Sequence, residues 1–102
     1  MIEYDYVVVG TGVSGLSFAL EASKHGRVAV ITKRASENSN TSWAQGGICC
    51  VADDNDSFES HIKDTIDAGA GLCDYDVVKT IVESAPDAID KMVNIGVQFD
   101  KN

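Results

Sequence analysis

Three glycines, Gly10, Gly12 and Gly15, mark the stretch of this sequence best suited to chemistry, and that chemistry is anion binding. They stand in Gly10-Thr11-Gly12-Val13-Ser14-Gly15, directly after the apolar run Tyr6-Val7-Val8-Val9. At this spacing the first glycine permits a tight turn and the second lets backbone approach a pyrophosphate. The third lets a helix pack close to a strand. A helix starting here points amides without intrahelical partners, and the positive end of its dipole, at the turn, so a diphosphate is the natural guest. A glycine-rich turn that merely packs tightly accounts for Gly15 better than for Gly10 and Gly12 together.

Two further stretches offer polar chemistry. Dinucleotide folds usually place an acid after the second strand to bind ribose hydroxyls. Here that place holds Thr32-Lys33-Arg34, and the next acid is Glu37. Lys33 can meet a phosphate or ribose oxygen, the basic pair can favour the 2′-phosphate of NADP, or Lys33 is a solvated loop lysine. Further on, Asn40, Thr41, Ser42 and Gln45 supply donors and acceptors around Trp43 and Ala44, and Gly46-Gly47 allows backbone to approach a flat ligand. The alternative is a plain turn at Gly46-Gly47 before a strand over 48–52, with Trp43 a core aromatic.

The elements that position these residues follow from the apolar pattern. Residues 6–9 and Val28-Ala29-Val30-Ile31 lack polar alternation, which predicts parallel strands covered on both faces. Between them Leu16, Ala19 and Leu20 share one side of a helix that stops near His25-Gly26, completing a βαβ unit. The second half reads as helical. Asp56 and Glu59 have capping-box spacing, and Phe58, Ile62, Thr65 and Ile66 share a face, predicting a helix over 57–68 ended by Gly69 and Gly71. Asp74 can cap another helix whose Val78, Ile81, Val82 and Ala85 face inward. Pro86 predicts a break there, with a new segment carrying Ile89, Met92 and Val93, a cap at Gly96, and a strand starting at Val97-Gln98-Phe99.

Composition narrows the classes. With 102 residues the chain is at most one domain, and short for an enzyme that must hold both a dinucleotide and a substrate. Its 44% hydrophobic and 24% charged content is that of a folded globular chain. The net charge of -8 argues against nucleic acid or an anionic membrane as partner, while local amides can still hold a phosphate. The start Met1-Ile2-Glu3-Tyr4-Asp5 lacks the basic residues and long apolar core of a signal peptide, so a cytoplasmic location is expected. Cys49, Cys50 and Cys73 have neither zinc-site nor disulfide-framework spacing and read as small buried apolar residues. His61 reads as a structural helix residue without assigned chemistry, and Asp53, Asp54 and Asp56 lack the pattern of a calcium loop and read as a solvated turn.

Taken together, the glycine motif, Thr32-Lys33 and Ser39-Asn40-Thr41-Ser42-Trp43-Ala44-Gln45-Gly46-Gly47-Ile48 resemble the L-aspartate oxidases within the succinate dehydrogenase and fumarate reductase flavoprotein family. The likeness continues through Asp56-Ser57-Phe58-Glu59-Ser60-His61-Ile62-Lys63-Asp64-Thr65 and Ala68-Gly69-Ala70-Gly71-Leu72-Cys73-Asp74. It implies an α/β fold, the N-terminal part of a Rossmann-like FAD-binding domain. The rest of that domain, a capping domain and a C-terminal helical domain would lie outside the chain. It assigns Gly10, Thr11, Gly12, Val13, Ser14 and Gly15 to the pyrophosphate, Lys33 to the adenosine side, and Asn40, Thr41, Ser42, Trp43, Ala44, Gln45, Gly46 and Gly47 to the flavin end. Membrane-linked relatives carry a flavin-bonding histidine where Asn40 stands, so the resemblance implies noncovalent FAD.

The family activity is oxidation of L-aspartate to iminoaspartate with O2 or fumarate as acceptor, feeding quinolinate and NAD synthesis, with quinolinate synthase as a partner. The arginines that clamp substrate carboxylates in the family match neither Arg27 nor Arg34. The resemblance therefore implies an N-terminal piece of a longer enzyme, inactive alone and with no catalytic residue of its own. Two other expectations stand beside it: a non-catalytic module that self-associates through an unpaired sheet edge, and an NADP-binding Rossmann unit.

Overall fold

The computed structural model describes residues 1–33, 40–44 and 46–99. The chain forms two compact units, 1–47 and 48–102.

In the first unit, strand β1 (Tyr6–Val9) leads through the glycine turn into helix α1 (Val13–Ala22), then strand β2 (Val28–Ile31) and a short helical turn α2 (Asn40–Trp43). The strands are parallel, Tyr6 opposite Val28 and Val9 opposite Ile31. Pairing extends one step further as the Gly10 amide donates to the Ile31 carbonyl at 2.8 Å. At the other end Asp5 forms a clip that the sequence pattern does not reveal. Its carboxylate accepts from the Arg27 amide at 2.7 Å, and the Asp5 and Tyr6 amides both donate to the Arg27 carbonyl. Gly26 is required there, since a Cβ would stand 2.7 Å from the Asp5 carboxylate.

The βαβ unit is as expected, but its coverage is not. Among the described residues of this unit only Val8 and Ala22 are buried, while Val9 is 83% and Val7 58% exposed. Leu16 and Leu20 are exposed as well. Two strands and one helix leave much of the sheet open to solvent, so the burial expected of a doubly covered parallel sheet is not reached. The helix also ends at Ala22, and residues 23–25 continue as a turn closed by the His25 amide on the Ala22 carbonyl.

The second unit is a pair of helices, α3 (Phe58–Ala68) and α4 (Tyr75–Asn94). Their apolar stripes meet in a core of Ile62, Val78 and Val82, with Phe58, Ile66 and Cys73 packed against it. The N-cap of α3 is Ser57, whose hydroxyl accepts from the Ser60 amide at 3.1 Å. The Asp56–Glu59 capping box is therefore displaced by one residue, and Asp56 instead accepts from the Ser57 amide. Asp74 caps α4 as expected, accepting from the Val77 amide at 3.1 Å.

Pro86 does not break α4, which runs unbroken from Tyr75 to Asn94. Proline forfeits the bond to the Val82 carbonyl, yet the apolar face continues on both sides of it through Val78, Val82, Ala85 and Ile89. That continuity outweighs one missing bond. Ile81 turns to the flank and is 62% exposed, contrary to its expected inward position. At the C-terminus Gly96 adopts φ +103, and bonds from Gly96 to Val93 and from Val97 to Met92 close a Schellman motif. Residues 48–52 and 97–99 are not strands, because backbone in that conformation needs a paired neighbour. All three cysteines are free. Cys73 packs against the core, but Cys49 is exposed and so does not fit the buried reading.

Candidate dinucleotide site

The glycine turn lies at the C-terminal ends of β1 and β2. Gly10 takes φ +115, a conformation that side-chain-bearing residues rarely adopt. A Cβ on Gly15 would stand 2.5 Å from the Gly10 carbonyl oxygen and 3.3 Å from Val8 Cγ1, so its absence sets how closely α1 approaches the turn. Gly12 is the N-cap of α1 and supplies no side-chain cap. Its carbonyl accepts from the Leu16 amide at 3.0 Å. The amides of Ser14 and Gly15, in the first turn, have no carbonyl four residues back within the helix to receive them. They are the groups a diphosphate would use.

Thr41 joins this cluster from the second glycine segment. Its Oγ1 accepts from the Val13 amide at 3.0 Å and lies 3.3 Å from where a Gly12 Cβ would be. The Thr11 hydroxyl donates to the Thr32 hydroxyl at 3.3 Å, linking the turn to the end of β2. Thus two stretches that the sequence marks separately are hydrogen-bonded to each other. Neither the Thr41–Val13 bond nor the Thr11–Thr32 bond is legible in sequence, although a glycine N-cap signals that a cap must come from elsewhere.

The other marked residues are less closely engaged. Lys33, Asn40, Ser42, Trp43 and Ala44 are exposed, as are Gly46 and Gly47. Trp43 is 74% exposed, so the core-aromatic alternative does not describe it. Gly46 takes φ +120, supporting the need for glycine there. Gln45 and Arg34 lie outside the described residues. Arg27 stands at the opposite end of the strand pair from the glycine turn, with its guanidinium 5.2 Å from the centre of the Tyr4 ring.

In the second unit, the His61 amide and carbonyl are engaged within α3 and its cap, bonding to Ser57 and Thr65. Asp53 accepts from the Asn55 amide and side chain, and the turn closes from the Asp56 amide to the Asp53 carbonyl. Lys63 has a raised pKa because Asp67 accepts a hydrogen bond from it and, secondarily, because of that carboxylate's charge.

A strand, a glycine turn whose first and third glycines are sterically required, a helix N-terminus and a parallel second strand define a dinucleotide-binding βαβ unit. A family described as FAD binding domain matches residues 5–102, and the chain belongs to that family. FAD is the cofactor of this class, and the first-turn amides of Ser14 and Gly15 fit its diphosphate. The chain is 47% identical over 97 residues to a chloroplastic L-aspartate oxidase of Oryza sativa, covering 95% of this chain and 15% of the rice protein. It is 44% identical over 97 residues to L-aspartate oxidase of Vibrio cholerae, covering 95% of this chain and 18% of that protein. A mutant of E. coli quinol fumarate reductase FrdA superposes with TM-score 0.90 at 34% identity, over 99% of this chain and 18% of that one. The chain thus spans under a fifth of the length of these relatives. Among the described residues, no helix is long and apolar enough to cross a membrane.

Proposed function

We propose that this chain holds the ADP half of a noncovalently bound FAD at the glycine turn and reaches the flavin end through Asn40, Thr41, Ser42, Trp43, Ala44, Gln45, Gly46 and Gly47, with Lys33 on the adenosine side. The observation that carries the reading is the Thr41–Val13 bond, which joins the two glycine segments at 3.0 Å. Asparagine at position 40 cannot make the histidyl bond of covalent flavoproteins. FAD supplies a two-electron acceptor. The residues here supply its binding: amides for phosphate charge, glycine for close approach, and neutral hydroxyls beside the anion.

We assign the chain to the N-terminal part of an FAD-binding domain in an L-aspartate-oxidising enzyme, with O2 or fumarate as acceptor and quinolinate synthase consuming the product. Identity of 43–47% to L-aspartate oxidases supports this. Substrate carboxylates need an arginine fork, and Arg27 is engaged with Tyr4 away from the turn. The chain alone should therefore bind FAD without oxidising L-aspartate. The rice relative is named as chloroplastic.

The test is to mix the 102-residue chain with FAD, desalt it and record the visible spectrum, then add L-aspartate without oxygen. A retained, shifted flavin spectrum that L-aspartate does not bleach is expected. Loss of all flavin on desalting would overturn the cofactor assignment, and bleaching would overturn the claim that the substrate site lies elsewhere. Preferential retention of NADP would favour the alternative Rossmann reading. Exposure of Val7, Val9 and Ile31 supports a second reading, self-association through the open sheet. A sedimentation profile independent of concentration would contradict it.

A further inference from the structure

We propose that Thr41 is a positioning residue that caps helix α1 from outside it and thereby makes the second glycine segment part of the phosphate cradle. The proposal rests on the FAD reading and adds a specific dependence to it. Helix N-termini are normally capped by a serine, threonine, aspartate or asparagine next to the first turn. Here the N-cap is Gly12, which has no side chain to offer. The Val13 amide instead donates to Thr41 Oγ1 at 3.0 Å, 28 residues along the chain.

Gly12 makes this approach available, since a Cβ there would crowd Thr41 Oγ1 at 3.3 Å. The missing side chain of Gly12 thus makes room for the remote cap. The choice of hydroxyl also follows from electrostatics. An aspartate can cap as well as a threonine but would place a negative charge beside an anion site. A threonine caps without charge, and after accepting from Val13 its own O–H remains able to donate to a phosphate oxygen. Removal of the hydroxyl would therefore affect both halves of the site, by freeing α2 from α1 and by deleting a donor.

The experiment compares wild type, Thr41→Val and Thr41→Ser in the full 102-residue chain. Amide hydrogen exchange at Val13 is measured by NMR, with the β1 and β2 amides as a control for the fold, and FAD affinity is measured by flavin fluorescence. Thr41→Val should speed exchange at Val13 about tenfold and weaken FAD binding about tenfold, while the strand amides keep their protection. Thr41→Ser, which retains the hydroxyl, should stay within about threefold of wild type in both measurements and remains informative if the valine variant fails to fold. Unchanged Val13 exchange and FAD affinity in Thr41→Val, or failure of Thr41→Ser to preserve either with the strands intact, would overturn the proposal. If wild type itself binds no FAD, the functional reading fails, whereas exchange at Val13 still decides whether Thr41 is the cap.

Discussion

The two units solve the problem of stability differently. The helical pair encloses a side-chain core of Ile62, Val78 and Val82, and side-chain caps at Ser57 and Asp74 satisfy its first turns. Among its described residues the strand unit buries only Val8 and Ala22, and it is tied together by backbone bonds, the Asp5 clip and the fit of glycines against backbone. Its first turn lacks a local cap and is instead held by Thr41. The candidate site thus occupies the less packed unit, where the first-turn amides of Ser14 and Gly15 lack intrahelical partners.

Substitutions can break this contrast. Gly15→Ala should have the largest effect, because its Cβ meets the Gly10 carbonyl oxygen at 2.5 Å and Val8 at 3.3 Å. We expect a cost of about 3 kcal/mol, confined to the strand unit, together with loss of FAD retention. Residue-resolved hydrogen exchange checks it, and full protection of β1 alongside retained FAD would show that the turn tolerates a methyl group. Val82→Ala reverses the pattern, removing two methyl groups from the helical core at a cost of about 2 kcal/mol while FAD affinity holds. Urea unfolding followed by helical circular dichroism measures the first part and flavin fluorescence the second.

Asp74→Ala should cost about 1 kcal/mol by leaving the Val77 amide without its cap, again with FAD affinity unaltered. The smallest effect belongs to Lys63, whose exposed pair with Asp67 raises its pKa above 10.5. A raised lysine pKa stabilises the fold fully below the unfolded value and ceases to do so as pH rises through the folded value. Lys63→Met should therefore flatten a slight loss of α3 helicity above pH 10.5, measured by circular dichroism across that range.

Much of this was legible in the sequence because it depends on local rules. Gly10 and Gly15 announce a positive φ and a close approach, Asp74 announces a cap, and Gly96 announces a left-handed stop. The failures come from tertiary context. Pro86 stays within α4 because packing on both sides outweighs a local signal, and Val9 is exposed because strand composition cannot tell how many neighbours a strand has. Asp56 yields the cap of α3 to Ser57 by a one-residue shift that spacing alone cannot decide. In the candidate site, the types of Thr11, Thr32 and Thr41 could be noted, but their pairing across 21 and 28 residues depends on the parallel register and the return of the chain.

In the proposed complex FAD engages the strand unit through the glycine turn and Thr41. A titration of isotope-labelled chain with FAD, followed by amide NMR, tests it most directly. The resonances of Gly10, Ser14, Gly15 and Thr41 should move together with a single affinity while those of Val78 and Val82 stay in place. Shifts centred on α3 and α4, or none at the glycine turn, would contradict it.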